Sequence, residues 1–178
     1  MQLRRVIALL AVGLLVLAGC GKSSPTASGT PEHSATKAHP SAKAKMICSE
    51  EAQEDIGKAI GVEPTKPVKA TWAQNLYSCS YTYPEGTMRL SVRELSDPTN
   101  ETGAYFLKMQ DELGWNQKVS LAFGDGAFAT TDGSVVVRKD NMVLLVDVRE
   151  LPNQFGQPPT ARTVTAQAVA KTIMGCWK

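Results

Sequence analysis

Hydrophobic and polar residues change period several times along the chain, and each change marks an element. Ala52, Ile56, Ala59 and Ile60 recur at helical spacing, with Ser49 placed to cap the start and Gly61 to stop the end. Residues 62–75, which include Pro64 and Pro67, read as a loop. Tyr77, Cys79, Tyr81 and Tyr83 then alternate with Ser78, Ser80 and Thr82, a period-two strand. A Pro84-Glu85-Gly86 turn leads into Met88, Leu90 and Val92 alternating with Arg89, Ser91 and Arg93, which completes a hairpin. Asp97-Pro98 predicts the cap and first residue of a helix that carries Tyr105, Phe106, Met109 and Leu113 and ends at Gly114.

Three strands are expected beyond that helix: Ala127 to Thr130, Val135 to Arg138 and Met142 to Arg149. Asp132-Gly133 and Asp140-Asn141 supply tight turns between them. Pro152 to Pro159 reads as irregular, and Thr160 is placed to cap a last helix with Val164, Ala168, Val169 and Ile173 facing inward. Met174 and Trp177 lie near its end. The order α-β-β-α-β-β-β-α predicts an α+β fold, an antiparallel sheet of about five strands with helices packed on it.

The N-terminus follows a different pattern. Arg4 and Arg5 precede a twelve-residue apolar run, Val6 to Leu17, interrupted only by Gly13. A bilayer-spanning helix needs about 20 apolar residues, so the layout is that of a signal peptide over residues 1–19. Residues 21–45 contain no Val, Ile, Leu, Phe, Trp or Tyr. Such a stretch buries too little apolar surface to offset its ordering entropy, so residues 20–45 are expected to be a disordered tether. The remaining residues, 46–178, suit one folded domain.

Charge narrows the partners. Loss of Arg4 and Arg5 with the leader leaves 17 cations against 17 anions. The tether carries a local +3 and residues 46–178 a local −3, which makes the domain a poor binder of nucleic acid. The tether lysines suit an anionic membrane surface or wall polymer, or serve only to keep a spacer soluble.

Candidate chemistry is sparse. His33 and His39 both fall in the expected tether, so a histidine-free domain is expected, without an imidazole base or imidazole metal ligands. No catalytic residue, metal site or cofactor is singled out. Glu50, Glu51, Glu54 and Asp55 make an acidic first turn, whose adjacent carboxylates do not converge as calcium ligands do. Gly124-Asp125-Gly126 reads as a turn entering a strand, because it lacks the lysine and the longer glycine pattern of a phosphate loop. Asn100-Glu101-Thr102 matches the glycosylation sequon. Trp72, Tyr77, Tyr81, Tyr83, Trp115 and Trp177 are the aromatic stock, serving either as core or as an exposed gripping patch.

Besides Cys20, the chain has Cys48, Cys79 and Cys176. One bridge and one leftover thiol is the simplest outcome in an oxidising compartment. A Cys48–Cys79 bridge would pin the first helix to the sheet, leaving Cys176 as a thiol or an intermolecular link.

Leu17-Ala18-Gly19-Cys20 resembles the lipobox of bacterial lipoproteins. That resemblance implies a diacylglyceryl group on Cys20, with palmitate-like chains, and cleavage before it. Two acyl chains anchor durably where one is marginal. The whole chain is similar to small actinobacterial lipoproteins with a domain of unknown function. Their pattern is a Cys and short helix (Cys48 to Gly61), a second Cys in an early strand (Cys79), a glycine-aspartate turn (124–128) and a terminal Ala/Val helix. The Cys-Trp-Lys end departs from that pattern, which leaves a Cys79–Cys176 bridge as a competitor. Similar exported layers occur in sensor domains of actinobacterial receptor kinases and in the PsbP-like fold, both binding or assembly modules.

These resemblances imply a lipid-anchored protein on the extracytoplasmic face of the cell membrane. It would act as a non-catalytic binding or accessory module of the envelope, its partner an envelope protein, a small amphiphile or a wall glycan. The alternatives are a histidine-free wall hydrolase using carboxylates, and a sensor or assembly subunit.

Overall fold

A computed structural model describes residues 37–121 and 124–177. The signal peptide and lipobox expected at residues 1–20 lie outside them.

The described chain opens with a short helix α1 (Ala42–Lys45) and a 3-10 turn (Met46–Cys48), followed by α2 (Glu50–Ile60). Strands β1 (Lys69–Ala73), β2 (Leu76–Tyr83) and β3 (Gly86–Glu94) form a meander. Helix α3 (Asn100–Leu113) crosses to β4 (Trp115–Lys118), and β5 (Gly126–Thr130), β6 (Val135–Lys139) and β7 (Met142–Asp147) return toward the first meander. A small hairpin, β8 (Gln154–Phe155) and β9 (Thr160–Ala161), precedes α4 (Arg162–Cys176). The main sheet is antiparallel throughout, with the order β1-β2-β3-β7-β6-β5-β4. The α+β architecture is therefore as expected, with seven strands in the main sheet rather than five.

The two sheet faces are covered unequally. On one, Cys79, Tyr81, Leu90, Val92, Leu144 and Val146 pack with Ile47, Ile56, Val169 and Ile173 from the N-terminal turns, α2 and α4. On the other, Phe106 and Met109 of α3 cover Phe128, Val136 and Val143 of β5, β6 and β7. The period-two pattern dictates this split, because successive residues of a strand point to opposite faces.

Capping explains most boundaries. The Ser49 hydroxyl accepts from the Ala52 N–H at 3.1 Å, and Gly61 closes α2 with φ +70°, donating its N–H to the Gly57 carbonyl. A Cβ at Gly61 would also sit 2.1 Å from the Gln157 carbonyl oxygen, so only glycine fits. Helix α3 begins at Asn100 rather than at Pro98, yet Asp97 still serves its start by accepting from the Thr99 and Asn100 N–H groups. Thr160 does not cap α4. It lies in β9, and its hydroxyl meets the Phe155 carbonyl and the Thr165 hydroxyl.

The expected tether is too long by its last residues. Residues 37–45 pack on the fold: Ser41 caps α1 and Ala44 is fully buried. The Glu94 carboxylate, 1 % exposed, accepts from the Ser41 N–H at 3.1 Å and pairs with the Lys37 ammonium at 3.3 Å. Asn75 accepts from the Lys37 N–H at 2.6 Å. Composition alone missed this because the attachment runs through backbone, Ser and Lys rather than through large apolar residues. The expectation of a histidine-free fold is corrected with it, since His39 sits exposed on this packed segment.

Cys48 and Cys79 form the disulfide, with Cα atoms 5.8 Å apart, tying the turn before α2 to the second strand. Beside it the Tyr81 hydroxyl donates to the Ile47 carbonyl at 2.6 Å, whereas the Tyr83 hydroxyl is buried without a hydrogen-bond partner among the described residues. Burial raises the pKa of both phenols well above the usual tyrosine range. Tyr81→Phe should therefore lower the unfolding free energy by about 1–2 kcal/mol, while Tyr83→Phe changes it by less than about 0.5 kcal/mol. Urea unfolding of the two variants separates these outcomes.

Candidate functional site

Among the described residues, no helix packs over the β1-β2-β3 end of the face that α3 shields at β5, β6 and β7, except where Tyr105 of α3 meets Arg93 near the end of β3. Register places Lys69, Ser80, Arg89 and Asp147 side by side across β1, β2, β3 and β7. The neighbouring row is Thr71, Ser78, Ser91 and Leu145, and Thr82 stands opposite Thr87. Alternation creates this surface: the partners on the other parity, Cys79, Tyr81, Leu90 and Val92, are the core. The result is an open face of hydroxyls with basic groups among them.

A depression of about 340 Å³ opens at one end of this face, lined by Thr87, Arg89, Asp147, Arg149 and Glu150. Asp147 grips Arg149 in a fork, accepting from Nε at 3.0 Å and from Nη2 at 2.6 Å. Asp132 stands 3.9 Å from the same guanidinium. Burial pushes the Asp147 carboxyl up, but the hydrogen bonds and charge of Arg149 outweigh it and hold it below the usual carboxylate range. Asp132 behaves alike: burial raises it, and hydrogen bonds from Thr130 and Ser134, with Arg149, bring it below. The bond to Asp147 raises Arg149 in turn. All three are thus ionised at neutral pH. Arg89, one strand away, is exposed and has no hydrogen bond or ion pair among the described residues.

The residues singled out by sequence separate in space. Glu50, Glu51, Glu54 and Asp55 line α2, where Lys58 pairs with Asp55 at 3.2 Å and Glu54 at 3.8 Å. No group of three His, Cys, Asp or Glu side chains among the described residues is placed to hold a metal ion. Asp125 of the glycine turn accepts from the Asp140 N–H at 2.8 Å, joining two strand ends. In the sequon, Thr102 is buried and donates to the Asp97 carbonyl. Tyr81, Tyr83 and Trp177 are core, Trp72 faces Tyr77 across β1 and β2, and Trp115 is 56 % exposed on the edge strand β4. Cys176 is half-buried and outside the disulfide. Cys20 lies outside the described residues. Arg89, Asp147 and Arg149 were not singled out, although the Arg89 parity opposite Met88 and Leu90 already put it on a polar face.

No protein-family model, curated protein or solved structure matches the chain. Among the described residues no helix is long and apolar enough to cross a membrane.

Proposed function

We propose that this protein is a lipid-anchored binding module of the cell envelope, held at the extracytoplasmic face through a diacylglyceryl group on Cys20. Its working surface is the open sheet face of β1, β2 and β3. The observation that carries the reading is that face, uncovered among the described residues, with rows of Ser and Thr and Arg89 without a described partner, on a sheet whose strands β5, β6 and β7 are shielded there by α3. The lipobox resemblance at residues 17–20 and the disulfide Cys48–Cys79, at home in an oxidising compartment, support the location. A carboxylate hydrolase gains no support: an acid–base pair needs one carboxyl kept protonated, and Asp132 and Asp147 are both pulled toward ionisation.

Fractionation tests the anchor. Wild-type protein is expected in the membrane pellet and Cys20→Ser in the soluble fraction; a variant that still sediments overturns the anchor. Co-sedimentation of the full chain with isolated envelopes tests the face. Ser80→Tyr, which blocks the face, is expected to abolish binding, whereas Lys171→Tyr on the exposed side of α4 leaves it intact.

A further inference from the structure

We infer that the outer edge of β1 takes an extended segment of a partner protein, added to the sheet as a further strand with an acidic residue opposite Lys69. This goes beyond the face proposed above, because it concerns the rim of the sheet and its backbone groups. β1 is an outermost strand, paired with β2 alone. Such a strand turns a row of N–H and C=O groups outward, and on residues 69–73 these meet no partner among the described residues.

The two edges of the sheet differ. β4 is interrupted by a bulge between Trp115 and Gln117, a feature that blunts strand addition. β1 instead runs in unbroken register, from Lys69 opposite Ser80 to Ala73 opposite Leu76, and contains no proline. Its exposed Ala70, Thr71 and Ala73 leave room for a second backbone about 4.8 Å away.

Side chains define what the added strand carries. On the polar side, β1, β2 and β3 present Lys69, Arg89 and Arg93 and no carboxylate. Arg89 stands opposite Asp147 of β7, and Arg93 is engaged by the Gln74 carbonyl and the Tyr105 ring. Lys69, at the rim, makes no hydrogen bond or ion pair among the described residues. A carboxylate directly opposite completes a cross-strand ion pair there, whereas a second cation repels. Lysine on an edge strand deters indiscriminate pairing, so the residue that excludes most strands selects an acidic one.

On the other side, Ala70 and Trp72 lie opposite Cys79 and Tyr77 at the border of the core. Trp72 is half-buried, and an apolar side chain on the added strand covers more of it. The partner is thus an alternating segment of about five residues, apolar toward Trp72 and acidic toward Lys69. A second copy fits less well. β1 has no acidic residue, so pairing it with itself leaves Lys69 without a counterion.

Amide NMR titration of the full chain in detergent micelles tests this with a seven-residue peptide that alternates threonine and valine around one central glutamate. Two controls accompany it: the same peptide with lysine for glutamate, and the glutamate peptide with methylated amide nitrogens, which lacks the backbone donors. The glutamate peptide should shift the amides of residues 69–73 and bind at least about threefold tighter than the lysine peptide. In Lys69→Glu that order should reverse, and the methylated peptide should bind neither protein. Lys69 is exposed and holds no contact that folding needs, so the variant remains readable. Equal binding of the two charged peptides, an unchanged order in Lys69→Glu, binding that survives methylation, or shifts centred away from β1 overturns the inference. The absence of any shift at millimolar peptide overturns it too. So does concentration-dependent broadening of residues 69–73 without peptide, which assigns the edge to a second copy. Envelope binding and its loss in Ser80→Tyr are read separately, so failure here leaves the module reading in place.

Discussion

Replacing both Cys48 and Cys79 with alanine should lower the unfolding free energy by about 3–4 kcal/mol. The bridge spans a sequence separation of 31 residues, and cross-linking a loop of that size restricts the unfolded chain by about this amount. The native contacts around it are modest by comparison. Cys79 is 1 % exposed and packs with Ile47 and Tyr81, so alanine also removes a little buried sulfur surface. Urea unfolding of the oxidised wild type, the reduced wild type and the double variant should place the last two together, well below the first. In thermal melts the gap should reach about 10 °C or more for a domain of this size. A loss under about 1 kcal/mol would mean that the bridge does not tie the N-terminal turn to the sheet in solution.

Lys37→Ala should cost about 2 kcal/mol, a large effect for a side chain next to an expected tether. Its partner Glu94 is 1 % exposed, and removing one member of a buried pair leaves a charge without compensation, typically a loss of 3–5 kcal/mol. The loss is smaller here because the Lys37 side chain is itself 41 % exposed and the Ser41 N–H still reaches the carboxylate. The double variant Lys37→Met, Glu94→Leu removes both charges and should return to within about 1 kcal/mol of wild type. Chemical unfolding of the single and double variants decides the matter. A Lys37→Ala loss below about 0.5 kcal/mol would show that the segment before α1 is not fastened there.

What the sequence disclosed, and what it concealed, divides along one physical line. Elements with a buried face were legible. Tyr77 to Tyr83, Met88 to Val92 and Met142 to Val146 alternate because one parity is core, and α2 carries both its cap and its stop. Elements made by pairing alone were not. Strand β1 is mostly exposed and β4 wholly so, and their strand character comes from backbone bonds to β2 and β5. Gln74 and Asn75, both at positive φ, make the tight turn that folds β1 onto β2, but the prolines upstream masked that signal. Glu94 shares the inward parity of Met88, Leu90 and Val92, so an acidic residue there already called for a partner; nothing local said that it was Lys37, 57 residues away. The candidate site was hidden for the same reason. Arg89, Asp147 and Arg149 meet only through the β3–β7 pairing, which joins strands separated by α3 and three other strands.

Photocrosslinking in intact cells tests the central claim most directly, with the reactive group placed at Ser80 on the open face or at Lys171 on the far side of α4. The account predicts an envelope adduct, protein or polymer, from Ser80 but not from Lys171, and its disappearance when Cys20 is replaced by serine. Equal adducts from the two positions, or an undiminished Ser80 adduct in the Cys20→Ser protein, would contradict it.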